Sequence, residues 1–289
     1  MKNKLRFGLV ILLVALGIFT AVWQKYRQPD FISLENIPAF SGEPFVVLQD
    51  NQPNFTQADM TTSAYEYYSD LDILGRCGYA MACIGRELMP TEDRESISSV
   101  KPSGWVQAQY DIVDGKNLYN RCHLIGFQLT GENANEKNLI TGTRYCNVEG
   151  MLPFENMVAD YIKETGNHVL YRVTPIFDAA CLVARGVQME AKSVEDNGEG
   201  ICFHVYVYNS QPGVIIDYRT GSSSASENTV STGSTVTNPT YILNTVTKKF
   251  HKITCQQGQD IKQENRSESK LERSALIQQG YTPAGCCKP

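Results

Sequence analysis

The chain has 289 residues, enough for one sizeable core and a small appendage. Its 42% hydrophobic and 20% charged residues exclude a disordered or fibrous protein. A formal net charge of −5 argues against holding nucleic acid through overall basicity, so any phosphate must be held locally, by a metal ion and a few arginines.

Lys2, Lys4 and Arg6 precede an uncharged run from Phe7 to Trp23, and Lys25 and Arg27 follow it. As a helix the run is about long enough to cross a hydrocarbon core of ~30 Å. It carries no clean small-x-small cleavage site and no cysteine for lipid attachment. Residues 1–28 are therefore expected to be an uncleaved signal anchor in preference to a removed signal peptide, with the remainder outside the cytoplasm, anchored to the membrane or secreted. Positive charge on both flanks sets orientation only weakly. Export permits disulfides among the nine cysteines. An odd number leaves at least one thiol without a partner inside the chain. Cys77 and Cys83 are close enough in sequence to bridge a short loop, Cys202 sits in a strand-like run as plain core, and connectivity stays open.

Residues 29–60 have few periodic apolar positions and are expected to be a tether leading into an edge strand. Residues 61–221 carry the signals of a compact α+β domain with a mainly antiparallel sheet. Val169–Ile176, Val183–Ala191, Ile201–Tyr208 and Val214–Tyr218 predict strands, with turns at 195–198 and 211–213. One long helix is predicted by Met151, Phe154, Met157, Val158 and Ile162 at helical spacing, with Pro153 in its first turn and Gly166 as its stop. Residues 222–240 are almost all Ser, Thr, Asn and Gly, a flexible linker. A small Cys/His module, 241–289, follows, and there is no internal repeat.

The chemistry concentrates in Tyr119-Asn120-Arg121-Cys122-His123-Leu124-Ile125-Gly126, in the run from Asn138 to Asn147, and in Leu152-Pro153-Phe154-Glu155-Asn156. Phosphodiester hydrolysis near pH 7 needs a base, and a histidine such as His123, with an ordinary pKa of about 6.5, is largely neutral there. It also needs positive charge where the phosphorane and the departing 3′ oxygen become negative, which a Mg²⁺ ion supplies as a Lewis acid. Mg²⁺ takes oxygen ligands and keeps several waters, so the Asn147 amide oxygen suffices as sole direct ligand. Glu155, eight residues on, is placed to hold metal-bound waters. Arg121 and Arg144 offer bidentate bonds to the scissile phosphate. No step uses the sugar 2′-OH, so DNA and RNA are both expected substrates. Singly these signals are weak, since an isolated His, a loop Asn or a helix Glu is usually structural. Adjacent Cys122 and His123 would face opposite sides of a strand, which argues against a thiol enzyme. The ordered set carries the case.

A strand ending in Arg-x-His, a polar loop, a second strand and a helix is the layout of a ββα-metal nuclease site. From about Phe40 to Thr220 the sequence resembles the bacterial DNA/RNA non-specific endonucleases, in particular the membrane-anchored or secreted type of Gram-positive bacteria. The family's Asp-Arg-Gly-His signature stands here as Asn120-Arg121-Cys122-His123. The resemblance implies His123 as general base, Asn147 as metal ligand and Glu155 as acidic partner of metal water. It also implies that Asn138 supports the site, with a place among the substrate-binding residues beside Arg121 and Arg144. Mn²⁺ is the expected substitute for Mg²⁺. Asn120 removes a charge and Cys122 removes a glycine's backbone freedom. Both are expected to tune activity rather than abolish it.

In the C-terminal module, His251-x-x-x-Cys255 followed by Cys286-Cys287 resembles a degenerate small zinc module of the Ada metal-binding type, with Ala284 where a first cysteine usually stands. His251, Cys255, Cys286 and Cys287 supply the four ligands a tetrahedral Zn²⁺ needs, although adjacent cysteines are awkward to aim at one ion. The alternative is a module held by packing, with or without a disulfide from Cys255. For the whole chain the expected function is a metal-dependent, sequence-non-specific endonuclease. The alternatives are a non-catalytic DNA-binding or uptake protein on a nuclease fold, and an envelope protein whose residue pattern is accidental.

Overall fold

A computed structural model of the chain describes residues 32–226, 241–271, 276, 279–284 and 287. The expected signal anchor lies outside the described residues, and among those described no helix is long and apolar enough to cross a membrane. The chain divides into two compact units, Met1–Thr229 and Val230–Pro289.

In the first unit the segments richest in β-branched and aromatic residues form the sheet. The strands, in chain order, are β1 (Phe45–Val47), β2 (Tyr65–Tyr68), β3 (Ala80–Ile84), β4 (Tyr119–His123), β5 (Leu139–Thr143), β6 (Val169–Ile176), β7 (Gly186–Ser193), β8 (Cys202–Tyr208), β9 (Val214–Ile216) and β10 (Ser223–Ala225). Six of them make one antiparallel sheet in the order β1-β8-β7-β6-β3-β2. Alternation along the strands sorts two faces. Tyr171, Val173, Val187, Met189, Ala191, Phe203, Val205 and Val207 join the main core. The long helix, Leu152–Thr165, covers that face with Phe154, Val158, Ala159 and Ile162. Pro153 sits in its first turn, and Gly166 ends it in the left-handed region at φ 76°, its amide donating to Ile162 O at 2.9 Å.

The opposite face carries Arg172, Gln188, Glu190, His204, Tyr206 and Tyr208. Residues expected to be a tether lie over it. Ile32, Leu34, Ile37, Phe40 and Leu48 pack against Ile176, Tyr206 and Tyr208. Their spacing has no period because the segment is irregular, yet each finds an apolar partner. A buried polar network fixes the same segment. Arg172 Nε donates to Glu190 Oε2 at 2.7 Å and Nη2 to Asn54 O at 3.0 Å, while the Asn54 amide donates to Glu190 Oε1 at 2.8 Å. Gln188 Nε2 donates to His204 Nε2 at 2.9 Å, which leaves the His204 Nδ1 proton for Gln52 O at 2.8 Å.

Three boundaries differ from expectation. The predicted strand at Val183 starts instead at Gly186, because the Val183 amide is spent on Tyr218 O. The strand predicted to reach Tyr218 ends at Ile216. Ser223–Ala225, assigned to the linker, pairs antiparallel with Val214–Ile216, since a ladder needs backbone groups and no apolar side chains. Cys77 and Cys83 are both free, with Sγ donating to Leu139 O and Thr61 O respectively, so the short-loop bridge does not form. Cys202 is partly exposed at the start of β8 rather than in the core.

The second unit is a four-stranded sheet, β13-β11-β12-β14, of Arg266–Ser269, Tyr241–Asn244, Lys249–Lys252 and Thr282–Pro283. Tyr241, Leu243, Phe250 and Leu276 form its core, with Tyr281 against them.

Candidate active site

β4 and β5 form a two-stranded hairpin, with Asn120 opposite Gly142 and His123 opposite Leu139. His123 ends β4 and is 6% exposed. Its Nε2 lies 2.9 Å from Asn133 O. A carbonyl accepts only, so Nε2 carries the proton and the neutral ring keeps its lone pair on Nδ1. Burial holds the imidazole pKa below its ordinary value; the Asn133 carbonyl opposes this and the nearby Arg94 charge adds to it.

Asn138 fixes where His123 ends. It is fully buried, its Oδ1 accepts from the Ile125 amide at 2.9 Å, and its Nδ2 donates to Ile125 O at 3.0 Å. Both amide groups are committed inside the fold, so the expected substrate contact is corrected: Asn138 closes the loop after β4 and does not face the substrate.

Asn147 lies in a six-residue π-helical stretch, Cys146–Met151, that leads into the long helix. The Leu152 amide bonds to Asn147 O, a wider turn than an α-helix makes and a form that recurs at functional sites. Asn147, His123, Glu155, Asn120, Arg121 and Arg144 line one cavity of about 600 Å³. The sequence-predicted residues, Asn138 apart, thus converge.

Glu155 is buried on the helix face turned to the hairpin. A Cβ on Gly126 would come within 2.6 Å of its Oε2, so a glycine there makes room for the carboxyl. Burial pushes the Glu155 pKa up to about 7, opposed by Arg94. Between about 4.5 and about 7 the folded carboxyl keeps a proton that the unfolded one has released, so stability falls as pH rises through that window and the full penalty remains above it. Metal-free Glu155→Gln should therefore unfold later than wild type near pH 8, by on the order of 3 kcal/mol, with the gap closing near pH 4. Thermal melts in EDTA check this; a wild type that outlasts the variant at pH 8 contradicts it.

The arginines are engaged. Arg121 lies 4.3 Å over the Trp105 ring, and its Nε and Nη2 donate to Val100 O and Ser98 O. Two of its three nitrogens thus hold the 98–105 loop, in contrast to the expected bidentate fork on phosphate. Arg144 Nε and Nη2 both reach Asp114 Oδ2, at 3.1 and 2.8 Å, a solvent-exposed pair of the weak kind that an arriving phosphate can replace. Arg94 and Trp105 also line the cavity and were not foreseen. Arg94 comes from an irregular polar segment where no spacing marks it.

Asn147, the Glu155 carboxyl and the Asn120 Oδ1, which is buried without a partner, offer oxygen atoms among the residues that line this cavity. That set suits a hard divalent cation that retains waters. The hairpin whose first strand ends in His123, the π-helical stretch that carries Asn147 and the long helix that carries Glu155 thus meet at one cavity.

Residues 56–195 match the model of the DNA/RNA non-specific endonuclease family, so this part of the chain is an endonuclease domain. Solved structures agree. NucA from Streptococcus agalactiae with no metal bound is 26% identical, with a TM-score of 0.58, over 67% of this chain and 92% of that one. The same protein with magnesium ion bound matches at 26% identity and a TM-score of 0.54, over 64% and 91%. Sda1 nuclease with bound zinc ion matches at 26% and 0.53, over 64% and 97%.

Proposed function

We propose that the protein hydrolyses phosphodiester bonds of DNA and RNA without sequence preference, with a divalent ion, Mg²⁺ or Mn²⁺ in its place, and His123 as general base. The observation that carries this is the His123 tautomer: Nε2 is tied to the Asn133 carbonyl, and a buried, mostly neutral ring keeps Nδ1 as the basic atom.

In this reading His123 Nδ1 takes a proton from a water, whose oxygen attacks phosphorus as the bond to the 3′ oxygen breaks. Asn147 would hold the ion through its amide oxygen, and Glu155 would orient waters around it. The ion would supply Lewis-acid charge at the phosphate. Arg144 would exchange Asp114 for a phosphate oxygen pair, and Arg94 would add positive charge on the same cavity wall. Arg121 would act mainly by holding Trp105 and its loop. None of these groups addresses a base edge or a 2′-OH, which supports non-specific cutting of both nucleic acids. The apolar run of residues 7–23 supports export, with the protein anchored to the membrane or secreted. Purified protein should degrade plasmid and RNA with Mg²⁺ and leave both intact in excess EDTA. Binding without cleavage in Mg²⁺ would instead favour a DNA-holding role.

A second metal ion has its own support in the C-terminal unit. Ligand atoms of His251, Cys255 and Cys287 all lie within 4.8 Å of one another. Cys286, the fourth member of the expected Zn²⁺ set, lies outside the described residues. Three N and S donors at this spacing suit zinc. The protein as purified is expected to carry one zinc per chain, lost in Cys255→Ser. Elemental analysis that finds none after dialysis against zinc would overturn this site.

A further inference from the structure

Trp105, Tyr119 and Phe127 line the cavity that holds His123, Asn147 and Glu155. Tyr119 is buried, and its hydroxyl is committed to Gly221 O at 2.9 Å. Of the two that are partly exposed, Trp105 has the larger ring and carries the Arg121 guanidinium over it. Trp105 belongs to none of the hydrophobic clusters among the described residues, so core packing does not account for it. Its segment is nevertheless pinned on both sides. Before it, Ser103 Oγ donates to Leu182 O at 2.7 Å, and Thr141 Oγ1 donates to Ser103 O at 2.8 Å. Gly104, at φ 67°, packs so closely that a Cβ there would come within 2.5 Å of Val183 Cγ2. After it, Gln107 Nε2 donates to Tyr119 O at 2.7 Å, and Gln107 Oε1 accepts from the Tyr119 amide at 3.0 Å. Arg121 adds its bonds to Ser98 O and Val100 O. An aromatic side chain held this way beside the reacting groups meets a substrate at little ordering cost.

We propose that Trp105, with Arg121 stacked on it, is a platform for one unpaired nucleobase beside the phosphate being cut, and that it gives the enzyme a preference for single-stranded nucleic acid. This rests on the nuclease reading above. Every base has a π-face, so stacking on an indole and a guanidinium holds a base without reading its identity. That agrees with cutting without sequence preference. Selection falls on strandedness instead. A base inside a duplex is already stacked and paired, and turning it out costs both interactions. A single strand bears no pairing cost, so the platform favours it at the binding step.

Tryptophan fluorescence reads the stack directly, since a stacked base quenches the indole. In the full-length His123→Ala protein with Mg²⁺, which is slow to cut, oligo(dT) should quench emission in a saturable manner. The same strand paired with oligo(dA) should quench far less. Adding Trp105→Phe, which leaves Trp23 as the sole indole, should remove the quenching. In the wild-type background, Trp105→Ala should raise KM for oligo(dT) at least about fivefold more than KM for the duplex, with kcat moving less than KM. Trp105→Phe, which keeps a ring, should recover most of that loss. No quenching by oligo(dT), or equal KM changes for the two substrates, overturns the platform, while wild-type cleavage in Mg²⁺ keeps the nuclease reading. A wild type that cuts neither substrate in Mg²⁺ ends that reading and this inference with it. Should Trp105→Ala fail to fold, quenching in the protein that retains Trp105 decides.

Discussion

His123→Ala is expected to lower the cleavage rate by roughly 10²–10⁴-fold, the usual contribution of a positioned general base. The imidazole is anchored through Nε2 at 2.9 Å from Asn133 O and buried, so its loss removes the proton acceptor and leaves water to serve. A group that acts on the attacking water contributes to the transition state and not to substrate binding. The loss should therefore fall on kcat, with KM little changed. The fold should persist, because the hairpin is closed by Asn138 on Ile125 rather than by the imidazole. Nicking kinetics on supercoiled plasmid, with a melt to confirm folding, read the effect; a rate within a few-fold of wild type would remove His123 from the role.

Arg172→Met is expected to cost about 3–5 kcal/mol of folding stability, the usual penalty for breaking a buried pair from one side. Arg172 and Glu190 are 5% and 0% exposed, so truncation strands a carboxylate away from water. The Asn54 carbonyl loses its donor at the same time. A loss of that size is a large share of the stability of an ordinary domain. Replacing Glu190 by Leu as well should restore much of it, since the pair's desolvation disappears with the charge. The network lies on the sheet face away from the hairpin, so activity per folded molecule should hold. Urea unfolding of the single and double variants decides; a single variant as stable as wild type would contradict the burial argument.

The parts of this fold legible in the sequence were those with a distinctive composition or period. β6 and β8 stood out as runs rich in β-branched and aromatic residues, buried along nearly their whole length, and the long helix by its 3.6-residue spacing. His123, Asn147 and Glu155 were legible only as an ordered set, since each alone is an ordinary residue. What stayed hidden depends on where atoms point once the chain has closed. Asn138 looks like a surface amide until both its groups are found on Ile125. Arg121 looks like a phosphate fork until its Nε and Nη2 are traced to a neighbouring loop. Arg94 and the cover formed by residues 32–56 come from irregular backbone, where burial leaves no periodic trace.

The central claim is that one imidazole and one divalent ion act together on the phosphodiester. Single-turnover cleavage of plasmid across a Mg²⁺ titration, for wild type and His123→Ala in parallel, tests it most directly. Wild type should need Mg²⁺, and the variant should saturate at a similar Mg²⁺ concentration with its plateau lowered by at least about a hundredfold. Cleavage by wild type in EDTA, or an equal plateau for the two proteins, would contradict it.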